Sequence, residues 1–388
     1  MAAGGKSVLL VNELGAGFGH VSELSAIGRA LAGLGCQVTC AMADLVRPTL
    51  PLRQAGFPVL QAPTWPGAGH GKTACYADIL ALFGFDNPPA LTLMTAGWQD
   101  LFDLVKPDLI VADHSPTAAL AAFGVNPVVM VGNGFTLPPD DLDEYPMLIE
   151  NTEPLVPQSR LLEVIHEVQA NRKRPAPETL PGLLSVAFRG VLSLPEFDIY
   201  ADVRSEKTLG RLEALPGYTP RQAVRSVYAY LHDHNPDLRT IVDALTKVDA
   251  EVSCYVSGHP EIAAVLSRGG VNVLDEPVDL TQALPQTSVV VSHASMGMAH
   301  AGLAAGRPQL VLPHDLEKDC VARALENLGV GVALHPPFEP DDIVRSIEQL
   351  LEPGSHADHA AVCAQSVLAR EPVDALAVIV DACVNLMG

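Results

Sequence analysis

Residues 288–312 read SVVVSHASMGMAHAGLAAGRPQLVL, in which His293 follows a β-branched apolar run and Gly306-Arg-Pro308 separates a small-residue stretch from a second apolar run. The valines have the length and branching of a buried strand. The small residues beyond Ser295 suit a closely packed helix, which Gly306 and Pro308 end. Strand, turn, helix and strand in that order make a parallel βαβ unit, whose strands are apolar on both faces because helices cover both. At the turn, His293 supplies a donor and the amides around Ser295, Gly297 and Met298 face outward from a helix N-terminus. This is the chemistry of a diphosphate cradle, and it needs no lysine.

The same rhythm extends outward in both directions. Runs at 227–231, 251–256 and 271–274 precede the stretch, and helical patterns at 341–351 and 374–385 follow it. A separate set of strands is expected at 7–11, 37–41, 58–61, 109–112 and 127–131, with a helix at 22–34 whose inner stripe is Leu24, Ile27, Leu31 and Leu34. Between the sets the chain turns proline-rich and charged, interrupted by a helical pattern at 161–170 and an apolar segment at 183–194. The expected architecture is α/β, with two Rossmann-like doubly wound domains facing a central cleft. The first covers 1–215 with an excursion over about 132–215, and the second covers 222–370. The last segment, 371–388, is a helix that packs back on the first domain.

The chain has 388 residues, 48% hydrophobic and 18% charged, which is enough to build two buried cores. Forty-five acidic against 24 basic side chains leave a net charge of −21, which repels a nucleic-acid backbone. A small phosphate group held by backbone amides is not excluded by that charge. No apolar run approaches the roughly 18 residues of a membrane span, and 7–11 is too short for a secretory core. The seven cysteines, at 36, 40, 75, 254, 320, 363 and 383, read as reduced core residues of a cytoplasmic protein. Cys36 and Cys40 flank a strand and lack a second ligand pair, while Asp141 and Asp143 sit in a proline-rich loop. No metal site is expected.

The first strand runs into Asn12-Glu-Leu-Gly-Ala-Gly-Phe-Gly-His20. Its glycines resemble a dinucleotide loop only weakly, because His20 stands where the third glycine belongs. At a strand end a neutral histidine can take a proton from a hydroxyl near pH 7, or it can simply pack against the turn. Asp113, at the end of the strand in Pro107-Asp-Leu-Ile-Val-Ala-Asp113, suits a carboxylate that orients such a base, or an N-cap of the following helix. The ends of the first and fourth strands adjoin in a doubly wound sheet, which would let the two residues meet.

The second-domain stretch resembles the carboxyl-domain signature of inverting, nucleotide-sugar-dependent glycosyltransferases of the GT-B fold, the group that includes UDP-glycosyltransferases and macrolide glycosyltransferases. That signature has the form H-G-G-x-G-[ST]-x-x-E-A-L-x-x-G-x-P, then P-x-x-x-D-Q, then an alanine. His293, Gly297, Leu303, Gly306, Pro308, Pro313 and Ala322 match it in register. Gly19-His20 and 107–113 resemble the family's acceptor-side base and its aspartate, and Gly132-Asn-Gly-Phe-Thr-Leu-Pro-Pro139 is similar to bacterial members.

The departures are local. Ala294 and Ser295 replace two glycines, Met298 replaces a hydroxyl residue, Ala301 replaces an acid and Glu317-Lys318 replaces Asp-Gln. The resemblance implies His20 as base and Asp113 as its partner. Donor contacts would come from His293, Ala294, Ser295, Gly297, Met298, Glu317 and Lys318, and from His232 unless that loop is merely exposed. Gly17, Gly19, Trp65, Trp98 and Phe135 are candidates to line an acceptor pocket. A nucleotide-diphosphate sugar would be a co-substrate and a small molecule the acceptor, with no bound cofactor. The alternative is a catalytically silent nucleotide-sugar-binding or partner protein of the same fold.

Overall fold

Val8, Leu9, Leu10 and Val11 are fully buried, and alternate residues of this run enter different cores. Val8 and Leu10 join Leu24, Ile27 and Leu31 of the first helix, Phe18–Gly33. Leu9 and Val11 join Ala118 to Ala122 of the short helix Pro116–Ala122. A strand covered on both faces must be central, and so it is. The first sheet is β3-β2-β1-β4-β5-β6, built from β1 (Ser7–Asn12), β2 (Gln37–Met42), β3 (Val59–Gln61), β4 (Leu109–Asp113), β5 (Val128–Gly132) and β6 (Phe188–Val191). Every pairing is parallel.

The second sheet repeats this order as β12-β11-β10-β7-β8-β9. Its strands are β7 (Ser226–Leu231), β8 (Glu251–Val256), β9 (Asn272–Leu274), β10 (Val289–Ser292), β11 (Gln309–Val311) and β12 (Gly331–Ala333), again all parallel. In each sheet the strand order reverses beside the first strand, between β1 and β4 and between β7 and β10. Connections leave such a switch point toward opposite faces, which opens a crevice at the carboxyl ends of the two strands.

The computed structural model describes residues 4–15, 18–45, 49–67, 71–220, 224–232, 235–256 and 260–388. The chain divides into two units, 1–212 with 373–388, and 213–372. The terminal helix Ala375–Met387 belongs to the first unit, where Ile379, Val380, Cys383 and Met387 share a core with Leu24 and Ile27. Gly190 of β6 admits it, since a Cβ there would lie 3.3 Å from Ile379 Cγ1.

Three features differ from the sequence expectation, the first being Leu34, which lies past the end of the first helix and is exposed instead of joining its inner stripe. Strands β6 and β12 are additional, and the first helix starts at Phe18 rather than 22, which puts His20 in its first turn. The excursion is fastened to β6 by a buried ion network. Arg204 meets Asp198 at 2.7 Å and Glu206 at 3.1 Å, while Arg189 of β6 meets Glu206 at 2.9 Å. All seven cysteines are free thiols, six of them buried. Among the described residues no helix is long and apolar enough to cross a membrane.

Because Ile379 is fully enclosed, Ile379→Ala is expected to destabilise the first unit by about 2–5 kcal/mol through lost burial and the cavity left behind. Denaturant unfolding monitored by circular dichroism checks this, with a shift below 1 kcal/mol contradicting the packing assigned to the terminal helix.

Candidate active site

Parallel pairing of β1 with β4 sets Asn12 opposite Asp113, so the loops that leave the two strands run side by side. They are laced together by hydrogen bonds. The Asn12 side-chain amide donates to Asp113 O at 3.2 Å, and the Leu14 N–H donates to His114 O at 3.0 Å. Across this seam His20 Nδ1 lies 2.7 Å from Asp113 Oδ2. The Asp113 side chain is wholly buried, whereas that of His20 is 18% exposed. A carboxylate can only accept, so Nδ1 carries the proton toward Asp113 and the neutral ring places its basic lone pair on Nε2. Asp113 Oδ1 is buried with no hydrogen-bond partner among the described residues.

Gly15 makes room for this pair. A Cβ at Gly15 would come within 2.5 Å of Asn12 Nδ2 and 2.7 Å of His20 Cδ2, so the backbone approaches the ring more closely than any side chain allows. Gly19 has no such restriction, as a Cβ there would meet open space. Gly17 lies outside the described residues.

Glu13 is a site residue that the sequence reading did not single out. It is 6% exposed and accepts three hydrogen bonds. The Thr117 and Ala118 N–H groups donate to Oε2 at 2.9 and 3.3 Å, and the Trp65 indole N–H donates to Oε1 at 3.0 Å. Burial pushes its carboxyl up to about 7, against the pull of those donors. The signal was an acidic residue directly after an apolar strand, where a solvated side chain is not expected.

Of the aromatic candidates, Trp65 is half-buried and Phe135 is 4% exposed beside the Asn133 turn. Trp98 is corrected: it is fully buried in helix Pro88–Val105, its ring 6.0 Å from that of Phe102, and it packs the core instead of lining a pocket.

In the second unit β10 pairs with β7, Ser292 opposite Tyr230, so His232 and His293 leave adjacent strand ends. His293 is 3% exposed, and chain groups engage both of its ring nitrogens. The His232 N–H donates to Nε2 at 2.8 Å, and the Asn235 side-chain amide lies 2.9 Å from Nδ1. Burial, then the nearby His314, His232 and Lys318, lower its pKa to about 3, so the ring is neutral. The ring thus joins the loop after β7 to the end of β10. Asn235, the other half of the latch, was not legible, because 58 positions separate the two residues.

Ala294 follows at φ 61°, the left-handed region that favours glycine. The turn therefore takes a backbone shape that glycine adopts most readily. His114 takes the corresponding place after β4, at φ 43°. Ser295 then takes the N-cap position of helix Met296–Ala305 without a side-chain hydrogen bond to it. The side chains of Met298 and Ala301 point into a core with Tyr228 and Val290, so an anion at this helix start would meet backbone amides rather than those side chains. Ser295 and Gly297 are the half-buried residues of the turn. Asp315 caps the next helix, Leu316–Asn327, and accepts from the Lys318 N–H. The Lys318 ammonium lies 3.0 Å from Glu317 Oε2 and 3.7 Å from Asp315 Oδ2. Burial opposes its charge, but these two carboxylates outweigh that effect and raise its pKa.

Comparison with known proteins agrees with this anatomy. Residues 239–386 match the domain family described as the Erythromycin biosynthesis protein CIII-like, C-terminal domain. Calicheamicin glycosyltransferase CalG4 is similar over 99% of this chain and 98% of its own, with a TM-score of 0.70 at 17% identity. The fold is GT-B. Glycosyltransferase VinC, solved in complex with dTDP, is similar to this GT-B chain over 97% of its length and 99% of VinC, with a TM-score of 0.64 at 18% identity. Aclacinomycin-T 2-deoxy-L-fucose transferase of Streptomyces galilaeus is 32% identical over 125 residues, 31% of this chain. The chain spans 28% of the length of that relative.

Two outcomes follow from the second unit of this GT-B chain. Because the folded His293 pKa is depressed from 6.5 to about 3, the unfolded state binds more protons across that window, and stability falls as pH drops from about 6.5 toward 3. His293→Gln should flatten this slope in pH-dependent melting curves; an unchanged slope contradicts the buried neutral ring. Ala294→Gly should relieve the left-handed backbone and stabilise the second unit by about 1 kcal/mol or less, since glycine's unfolded-state entropy offsets part of the gain. Denaturant midpoints check the sign.

Proposed function

We propose that the chain is an inverting glycosyltransferase that moves a sugar from a nucleoside diphosphate donor to a hydroxyl, or an amine, of a small acceptor. The observation that carries this reading is the 2.7 Å approach of His20 Nδ1 to the buried Asp113 carboxylate at a strand-order reversal. His20 Nε2 takes the acceptor proton while Asp113 fixes the tautomer and stabilises the imidazolium that forms. The acceptor oxygen bonds to the anomeric carbon as the bond to the diphosphate oxygen breaks, inverting that centre. The nucleoside diphosphate leaves with the electron pair.

The charge that develops on the leaving group is met in the second unit by the first amides of helix Met296–Ala305 and by the Lys318 ammonium. Glu317 accepts from sugar hydroxyls in the place of the family's aspartate. The dTDP complex of VinC supports a nucleoside diphosphate as the donor's leaving half. Trp65 and Phe135 are assigned to the acceptor side. The free thiols suit the reducing cytoplasm as the place of action.

A second reading, a binding or partner protein without turnover, is favoured by one observation. His293 is latched, and the Met298 and Ala301 side chains are turned into the core, which leaves fewer side chains to hold a donor.

His20→Ala is expected to lower product formation by about 10²–10⁴-fold, the usual contribution of a positioned general base. Titration calorimetry should find dTDP binding unchanged in that variant. Full turnover in His20→Ala sinks the catalytic assignment, and dTDP binding without turnover in the parent across many acceptors favours the second reading.

A further inference from the structure

Glu13 sits where a charged side chain is hard to keep, between the end of β1, the start of helix Pro116–Ala122 and the loop that carries Trp65. Its two oxygens do different work. Oε2 takes the Thr117 and Ala118 amides, and Oε1 takes the indole N–H. The ring of Trp65 is restrained elsewhere as well. A Cβ on Gly84 would lie 2.9 Å from Trp65 Cζ3, so that glycine lets the ring lie close, and the Phe85 ring is centred 6.0 Å away. Trp65 is nonetheless only half-buried, so the residue is not closed off from solvent. Its tether is one residue beyond Asn12, the partner of Asp113 in the strand register.

We propose that Glu13 is a positioning residue that holds the Trp65 indole as one wall of the acceptor site, beside the His20–Asp113 pair. The proposal deepens the glycosyltransferase reading and rests on it for the word acceptor. A rigid, partly open indole anchored through its N–H suits a flat, apolar or aromatic alcohol, because stacking uses the ring while the polar edge stays occupied. Glutamine distinguishes the two oxygens. Its single carbonyl can stay with the two helix amides, but its NH₂ then faces the indole N–H, donor against donor. Glu13→Gln therefore frees Trp65 while keeping the helix start.

The test uses Trp98→Phe protein, in which Trp65 is the one remaining tryptophan, and the fluorescent alcohol 4-methylumbelliferone as an aromatic probe. Glu13→Gln should raise acrylamide quenching of Trp65 about twofold or more. It should also weaken probe binding, measured by calorimetry, about tenfold, the upper scale of one lost hydrogen bond. Trp65→Phe, measured in the natural Trp98 background, should weaken probe binding to the same extent, and Glu13→Gln combined with Trp65→Phe should be no worse than either alone. Unchanged quenching overturns the tether. Additive losses, or a parent protein that does not bind the probe, overturn Trp65 as an acceptor wall. If His20→Ala retains turnover while these binding effects appear, the catalytic reading fails and the role of Glu13 stands.

Discussion

The parallel register that sets Asn12 opposite Asp113 governs the rest of the first unit. Because the strand order reverses there, the helix after β1 packs on one face of the sheet and the helix after β4 on the other. The two departing loops are left side by side, close enough for backbone and side chains to bond across. A buried carboxylate such as Asp113 is costly to keep charged, and among the described residues only one of its oxygens is bonded, to His20. The surrounding structure sustains that cost. Asn12, Leu14, Glu13 and Gly15 each constrain the seam, by a hydrogen bond or by leaving space.

The second unit uses the same strand order for a different electrostatic end. At its reversal the side chain is a neutral imidazole tied to two chain groups. In a chain of net charge −21, the positive groups at this reversal are helix amides and one lysine whose charge two carboxylates secure. Such short-range dipoles act within a turn of the helix end and are indifferent to the overall charge.

Much of this was legible in the sequence, for identifiable reasons. Long β-branched runs announced the ten principal strands, and His20 and Asp113 stood at strand ends where chemistry accumulates. Strand β6 escaped because Phe188-Arg-Gly-Val191 is short and interrupted by a charge and a glycine. Strand β12, three residues long, offers too little pattern to read. The helix start at Phe18 was hidden by glycines that suggest a loop. At the sites, the motif located His293 but not the direction of its hydrogen bonds, which depend on Asn235 folding back from another strand end. Trp98 was misread because an aromatic residue in an apolar helix carries no local sign of whether it faces a core or a cavity.

The positive φ angles of His114 and Ala294 stand at corresponding places, one residue after Asp113 and one after His293. Neither residue is a glycine, yet the backbone bends in both as though it were. The bend is thus imposed by the strands and helices it joins, and the identity of the residue is a secondary choice. The two turns share a bend without sharing a residue type, so the shape at both switch points survives a change of letters that a residue-by-residue comparison counts as a departure.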